Sequence, residues 1–484
     1  MASGIETLIR KTVTKGVGVV ADFNRKRISA DGVNPFLTGI HAPMAAEQTL
    51  TELRVDGTIP VELDGRYLRI GPNPLSVENP AAYHWFTGDG MVHGVRLQGG
   101  QAKWYRNRWI RSTPISQALG EEPAPGPRRG TFHAVNTNVA SVGGQTRTMV
   151  EASANPVIIG EELETIAHDA FGDTLRGAFT AHPHRDPVSG EWHAICYDAM
   201  DPDHVRHVVI TAEGKVRREL RIKVANGPSI HDCMITENYV IILDLPVTFS
   251  MKAVLAGHGF PFRWNPEHRA RVGLLPREGG AYDIVWRDVA PCYVFHPANA
   301  FEQDGKVILD VCAHDRMFAD STIGPSSQTC PFERWTIDPA PGAVSVPVER
   351  RVIDAAAQEF PRPNEDYIGK PYRYAYTVAL PEGGDAAFLN ETRLFKHDLI
   401  AGTRAVHDFG AGRVPGEFVF VARADSDGAE DAGWLIGYVV DTNRQTSELV
   451  IIDAQNFAGT PQAVVHIPHR IPPGFHGNWV PTAA

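Results

Sequence analysis

The chain has 484 residues, with 46 Lys+Arg against 57 Asp+Glu and a formal net charge of −11. Such a length buries a large core, which excludes intrinsic disorder and disulfide-stapled miniproteins, and the acidic balance argues against a nucleic-acid partner. Five scattered cysteines (Cys196, Cys233, Cys292, Cys312, Cys330) without CxxC spacing read as reduced thiols of a cytoplasmic protein, and no apolar run approaches a membrane span.

In chain order, the first element is the only helical pattern. Ile5, Leu8, Ile9, Val13 and Val17 fall at roughly helical spacing, with Arg10, Lys11 and Lys15 between them. Residues 1–27 hold six Lys/Arg and two Asp/Glu, so the start is basic on an acidic protein. Peripheral contact with an anionic membrane is one reading of this arm (1–45); a solvated arm packed loosely on the body is the other.

From about residue 60 the pattern becomes short β-rich runs across tight turns. MVHGVRL–QGGQ–AKWYRNRWI is the first hairpin, and FTAHPH–RDPVSGE–WHAICYDA the second. HVVIT–AEGK–VRRELRI, HDCMI–TEN–YVIILDL and VFHPANAF–EQDG–KVILDVC follow, then ETRLFKHDL–IAGT–RAVHDFG and WLIGYVVD–TNRQT–SELVIID. No strand–helix alternation appears, which disfavours parallel α/β folds. So many antiparallel strands must hide their edges, and a β-propeller does so by radial repetition. Dividing about 430 residues by about 60–70 per irregular blade gives six or seven blades. A pair of large β-sandwiches is the competitor. The apolar segment 245–264 (LPVTFSMKAVLAGHGFPFRW) interrupts the pattern as a long loop, the kind that serves as a lid or binding surface.

Nucleotide-binding, serine-hydrolase and HExxH signatures are missing from the sequence. Among 20 histidines, four sit at predicted strand starts or beside turns: His182, His231, His296 and His476. Their separations of 49, 65 and 180 residues correspond to about one, one and three blade lengths. Equivalent positions on different blades converge on a propeller axis, so four imidazoles could meet around one metal. Spacing alone leaves this open, since most histidines are structural. His184 is taken to face away on its strand, His84 and His93 are read as structural, and the His204/His207 and His466/His469 pairs are not assigned as metal sites.

Ten ordered stretches carry a resemblance: RIGPNP (69–74), HWFTGDGMVHGVR (84–96), NTNV (136–139), HPHRDP (182–187), HDCMIT (231–236), FHPANAFE (295–302), EFPR (359–362), GEFVFVAR (416–423), EDAGWL (430–435) and GFHGNW around His476. In these the chain resembles the carotenoid cleavage oxygenases, which include the lignostilbene dioxygenases, over nearly its whole length. The resemblance implies one all-β domain over 1–484, a seven-bladed propeller with a loop or helical dome above an axial iron. It implies one Fe(2+) per chain on His182, His231, His296 and His476. Glu151, Glu359 and Glu417 would take the other imidazole N–H groups, as metal-bound histidines usually require. Thr137 matches the threonine that screens one open iron position.

The implied reaction is cleavage of a C=C bond by O2 into two carbonyls. Both oxygen atoms are then accounted for without a reductant, in keeping with the missing nicotinamide and flavin motifs. Lignostilbene-type relatives typically carry Lys just before the first of the three glutamates; here that residue is Val150, which suits a polyene better than a phenolate. Phe249, Phe260 and Phe262 of the 245–264 loop are assigned to the substrate tunnel and its opening, in a surface suited to collecting a lipophilic substrate from a membrane. The expected function is therefore carotenoid or apocarotenoid cleavage. Lignostilbene-type cleavage is the alternative; a retinoid isomerohydrolase and a non-catalytic propeller are the other classes weighed.

Overall fold

The computed structural model describes residues 16–29, 32–130, 133–342, 346–383, 389–424 and 428–482. The predicted hairpins form because β-branched and aromatic runs alternate with residues that turn easily. At QGGQ, Gln98 pairs with Gln101 while Gly99 and Gly100 adopt φ of 57° and 73°, which a two-residue hairpin turn of this twist requires. The second hairpin is shorter than its sequence suggests, with only His184–Arg185 in the leading strand. Pro183 and Pro187 flank that strand, and neither has an N–H to extend the ladder.

Seven sheets of four or five antiparallel strands are arranged radially. This excludes the sandwich alternative. Five blades follow one another in sequence, with inner strands Asn138–Val142, His184–Arg185, Cys233–Ile235, Pro297–Gln303 and Gln358–Arg362. The two remaining blades interlock the chain ends. Gly477–Pro481 adds to Gly65–Pro72 as the inner strand of the first blade, and Val55–Gly57 edges the last blade, whose inner strand is Arg413–Ala422. This closure leaves the ring no open seam.

The core lies between neighbouring blades rather than in one mass. Val142 and Met149 pack on Cys196 and Ile210 between the second and third blades, and Tyr67 and Val95 pack on Ile436 and Leu449 between the first and last. Above the starts of the inner strands, irregular segments form the dome. The 245–264 stretch is ordered rather than a plain loop: Val247–Phe249 pairs with Phe262–Trp264, and between them Ser250 caps a short helix, Met251–Leu255.

Of the N-terminal arm, Ile5, Leu8, Ile9 and Val13 lie outside the described residues, while residues 16–25 are helical. Further along, the arm is anchored: Phe36 is buried and stacks on Trp85 with ring centres 5.1 Å apart. Asn24 donates to the Leu255 carbonyl at 2.7 Å and Arg25 to that of Gly257 at 3.2 Å, so the arm helix lies against the dome helix.

Candidate metal centre

Each inner strand begins at the propeller axis, and four of the seven begin beside a histidine. His182 precedes the third blade's inner strand, His231 the fourth's, His296 the fifth's and His476 the first's. The three-blade gap predicted between His296 and His476 holds, because two complete blades intervene. All four side chains are buried, and one ring nitrogen from each lies within 4.8 Å of the others. Ring centres are 4.5 Å apart for His182–His231 and His182–His476, and 4.6 Å for His296–His476.

Close backbone approach delivers His476. A Cβ on Gly71 of the RIGPNP stretch would lie 2.4 Å from the Gly474 Cα, so only glycine lets the two strands run this close. The Ile70 N–H then donates to the His476 carbonyl at 3.0 Å, and the Phe475 N–H to that of Ile70 at 2.9 Å.

The three predicted glutamates stand behind three of the rings. Nδ1 of His231 meets Glu151 at 2.9 Å, that of His296 meets Glu359 at 2.6 Å, and that of His476 meets Glu417 at 3.0 Å. A carboxylate only accepts, so each Nδ1 carries the proton and Nε2 turns its lone pair inward. Nε2 of His231 and His296 face each other at 3.2 Å, and Nε2 of His182 is buried without a hydrogen-bond partner. Facing nitrogens need a cation between them. A proton bridges one pair, whereas four converging nitrogens fit one metal ion, so the residues present suit a metal site.

Burial, reinforced by the other imidazoles, holds His182 well below the usual histidine range, and burial also lowers His476. At His296 burial is outweighed by Glu359 and the pKa rises. Burial would raise Glu359 and Glu417, but His296 and His314 keep the first ionised, and Arg362 and His476 the second.

Backbone strain and bulges aim these groups. The ladder shifts register between Pro297 and Asn299, between Glu359 and Arg362, and between Pro415 and Phe418. Such irregularities re-aim side chains beside functional sites. Ala152 and Phe360, the residues after Glu151 and Glu359, adopt φ of 61° and 54°, a region that favours glycine. Neither residue type signals that conformation in the sequence.

Thr137 immediately precedes the second blade's inner strand, Asn138–Val142. Its carbonyl accepts from the His476 N–H at 3.2 Å, and its hydroxyl donates to Asn136 Oδ1 at 3.0 Å. Three participants escaped the sequence reading. His314 reaches Glu359 at 3.2 Å, Arg362 lies 3.7 Å from Glu417, and Asp232 lies 3.8 Å from Nδ1 of His182. The placing of His184 is corrected: it faces the axis, because two positions along an extended strand return to the same face, and its Nε2 meets Asp232 at 2.7 Å.

The two sides of the cluster differ. Along the inner strands runs a cavity of about 180 Å³ that His182, His296 and His476 border; its lining is mixed, with Asp232, His184, Arg362, Glu417, Asn138 and Asn478 beside Trp192, Met234, Phe360 and Ile368. On the dome side, Phe86, Phe260, Phe295, Phe318 and Phe475 pack together, with Phe295 5.0 Å from the His231 ring. Phe260 stacks on His84 at 4.5 Å, and Phe262 is buried beside it. Those two phenylalanines therefore turn inward, because a large ring gains more by joining the aromatic cluster than by facing water. Where the arm helix meets the dome helix, the exposed apolar side chains are instead Met251 and Leu255 of the dome helix and Val19, Val20 and Phe23 of the arm helix. Phe249 is half-buried, and Val150 packs among Leu68, Ile70 and Val92 between the first two blades.

Among the described residues, neither His204/His207 nor His466/His469 forms a metal-ligating group. No helix among them is long and apolar enough to cross a membrane.

Residues 41–481 match the sequence profile of the family described as retinal pigment epithelial membrane protein. A carotenoid cleavage oxygenase of Mycobacterium tuberculosis is 42% identical, covering 94% of this chain and 99% of its own length. The solved cobalt-substituted apocarotenoid oxygenase of Synechocystis superposes with a TM-score of 0.80 at 28% identity, covering 91% of this chain and 97% of that one. A lignostilbene dioxygenase of Pseudomonas brassicacearum superposes with a TM-score of 0.82 at 26% identity, covering 92% and 98%.

Proposed function

This chain belongs to the carotenoid cleavage oxygenase family, and we propose that it cleaves one C=C bond of a carotenoid or apocarotenoid with O2, giving two carbonyl products. The observation that carries this reading is the buried set of four imidazoles, three of them backed by glutamate, beside a face of packed aromatic rings. When bound by His182, His231, His296 and His476, one Fe(2+) per chain supplies the activation of O2.

The chain's own groups hold and position. Glu151, Glu359 and Glu417 fix three imidazole tautomers and raise their basicity as ligands. Thr137 sits beside His476 and narrows the approach on the second blade's side. A polyene lies against the aromatic face, bound by burial of apolar area at about 25 cal/mol per Å² rather than by any charge. Phe260 and Phe262 shape that tunnel from inside and Phe249 flanks Phe262, while Val150, in the core between the first two blades, offers no charge to a phenolate. No acid or base is required of the protein, so selectivity rests on which double bond is brought to the histidines.

The arm helix lies against the dome helix through Asn24 and Arg25; it exposes Val19 and Phe23, 64% and 54%, and the dome helix exposes Met251, 50%, with Arg25, Lys26 and Lys252 near them in sequence. This patch, rather than Phe260 and Phe262, serves as the contact with an anionic membrane surface. Lignostilbene-type cleavage is the second reading, favoured by the likeness to the Pseudomonas enzyme.

The test is product analysis by mass after short incubation of iron-loaded protein and labelled O2 with carotenoids, apocarotenals and hydroxystilbenes. Labelled aldehydes or ketones from a polyene are expected. Efficient stilbene cleavage with no polyene turnover would overturn the substrate assignment, and isomerised product without O2 uptake would overturn the reaction.

A further inference from the structure

Three of the four imidazoles stand on a glutamate, and His182 does not. Its Nε2 points into the cluster, which leaves Nδ1 as the nitrogen that needs an outer partner. The carboxylate facing it is Asp232, 4% exposed and bonded in sequence to His231. Asp232 Oδ2 lies 3.8 Å from His182 Nδ1. That gap is about 1 Å beyond a hydrogen bond, and shorter than the ~4.5 Å a bridging water would need. A small rotation of the carboxylate closes it directly.

The other oxygen shows how Asp232 is aimed. Oδ1 accepts from the Cys233 N–H at 2.6 Å and meets His184 Nε2 at 2.7 Å. Two contacts on one oxygen anchor Oδ1 as a pivot and leave Oδ2 turned toward His182 and the cavity that Asp232 and His184 both border. Support from another blade is the rule here: Glu359 reaches from the sixth blade to His296 on the fifth, Glu417 from the last blade to His476 on the first, and Glu151 from the second blade to His231 on the fourth. Asp232 likewise reaches from the fourth blade to His182 on the third.

We propose that Asp232 is the fourth carboxylate supporting the metal ligands, serving His182, and that His184 is the positioning residue that aims it. This rests on the reading of the four histidines as ligands. The experiment loads metal-free protein with Co2+ and measures affinity by chelator competition together with the visible absorption of the bound ion. Asp232→Asn keeps an oxygen for the Cys233 N–H and nearly the same volume, so a residue that merely caps the turn would leave both readouts unchanged. The expected result is a loss of about tenfold or more in affinity, with a shifted spectrum. His184→Phe is expected to lose less, and His184→Gln, which retains an N–H donor, to return toward wild type. Wild-type affinity and spectrum in Asp232→Asn would overturn the role of Asp232. Equal behaviour of His184→Phe, His184→Gln and wild type would overturn the positioning role, and this pair remains informative if Asp232→Asn fails to fold. Failure of the underlying reading looks different: wild type would take up no Co2+, or His182→Ala would bind it as wild type does.

Discussion

The inner-strand side and the dome side of the four histidines are built by opposite means. On the first, the supporting carboxylates are tied in several directions: Glu359 meets His296, His314 and the Phe360 N–H, while Glu417 meets His476 and the Gly477 N–H. On the second, rings touch rings, with Phe86 5.4 Å from Phe260 and 5.2 Å from Phe475, and dispersion has little direction. A metal site tolerates little misplacement of its ligands, so hydrogen bonds and forced backbone angles hold them. A long apolar substrate needs area and shape, which packed rings supply. The two sides therefore fail differently when altered, and that difference can be measured.

The largest effect belongs to the histidines. His231→Ala or His476→Ala is expected to abolish bound metal and activity together, and chelation of wild type to abolish activity reversibly. No other described histidine lies in the cluster to replace a lost one. Activity surviving the removal of all four side chains, checked by product mass, would end the distinction between the two sides.

Phe260→Ala comes next and tests the dome side. Truncating this buried ring costs about 3–5 kcal/mol of stability, read by denaturant unfolding. Metal content is expected to stay at the wild-type value while KM for a polyene rises and the choice of bond broadens. Metal lost along with the ring would show that the aromatic face also holds the ligands.

Glu359→Gln and Glu417→Gln follow, each keeping shape but not charge. A loss of about 10–100-fold in metal affinity or turnover is expected, without loss of the fold. Unchanged metal affinity and turnover would reduce these glutamates to structural anchors of the bulged strands.

The sequence made the polar side more legible than the apolar one. Separations of 49, 65 and 180 residues between histidines reflect blade length, and blade length repeats because each blade is one unit of four or five strands. EFPR and GEFVFVAR placed Glu359 and Glu417 through family resemblance, although nothing in either stretch announces a bulge. Phe260 and Phe262 were harder, since an apolar residue in a long segment can face a membrane or a core equally well. Only the stacking of Phe260 on His84, 176 residues away, decides it. Asp232 and His184 were hidden for a related reason: their meaning depends on where a neighbouring blade's His182 points.

The smallest effect probes the strained backbone that separates the two sides most sharply. Ala152 follows Glu151 and adopts φ of 61°, where an L side chain costs about 1–2 kcal/mol that glycine avoids. Ala152→Gly relieves this strain but gives the unfolded chain more freedom, a loss of about 0.4–1 kcal/mol. The two nearly cancel, so stability is expected to change by less than about 1 kcal/mol. Ala152→Val has no such compensation, because a β-branched side chain suits this backbone region worst. It is expected to cost at least about 1 kcal/mol and to weaken metal binding, since relaxing residue 152 swings Glu151 away from His231, now 2.9 Å from it. Denaturant unfolding and chelator competition on both variants check this. If Ala152→Val binds metal as wild type does, the strained angle is incidental to the site, and the hydrogen bond to His231 alone fixes Glu151.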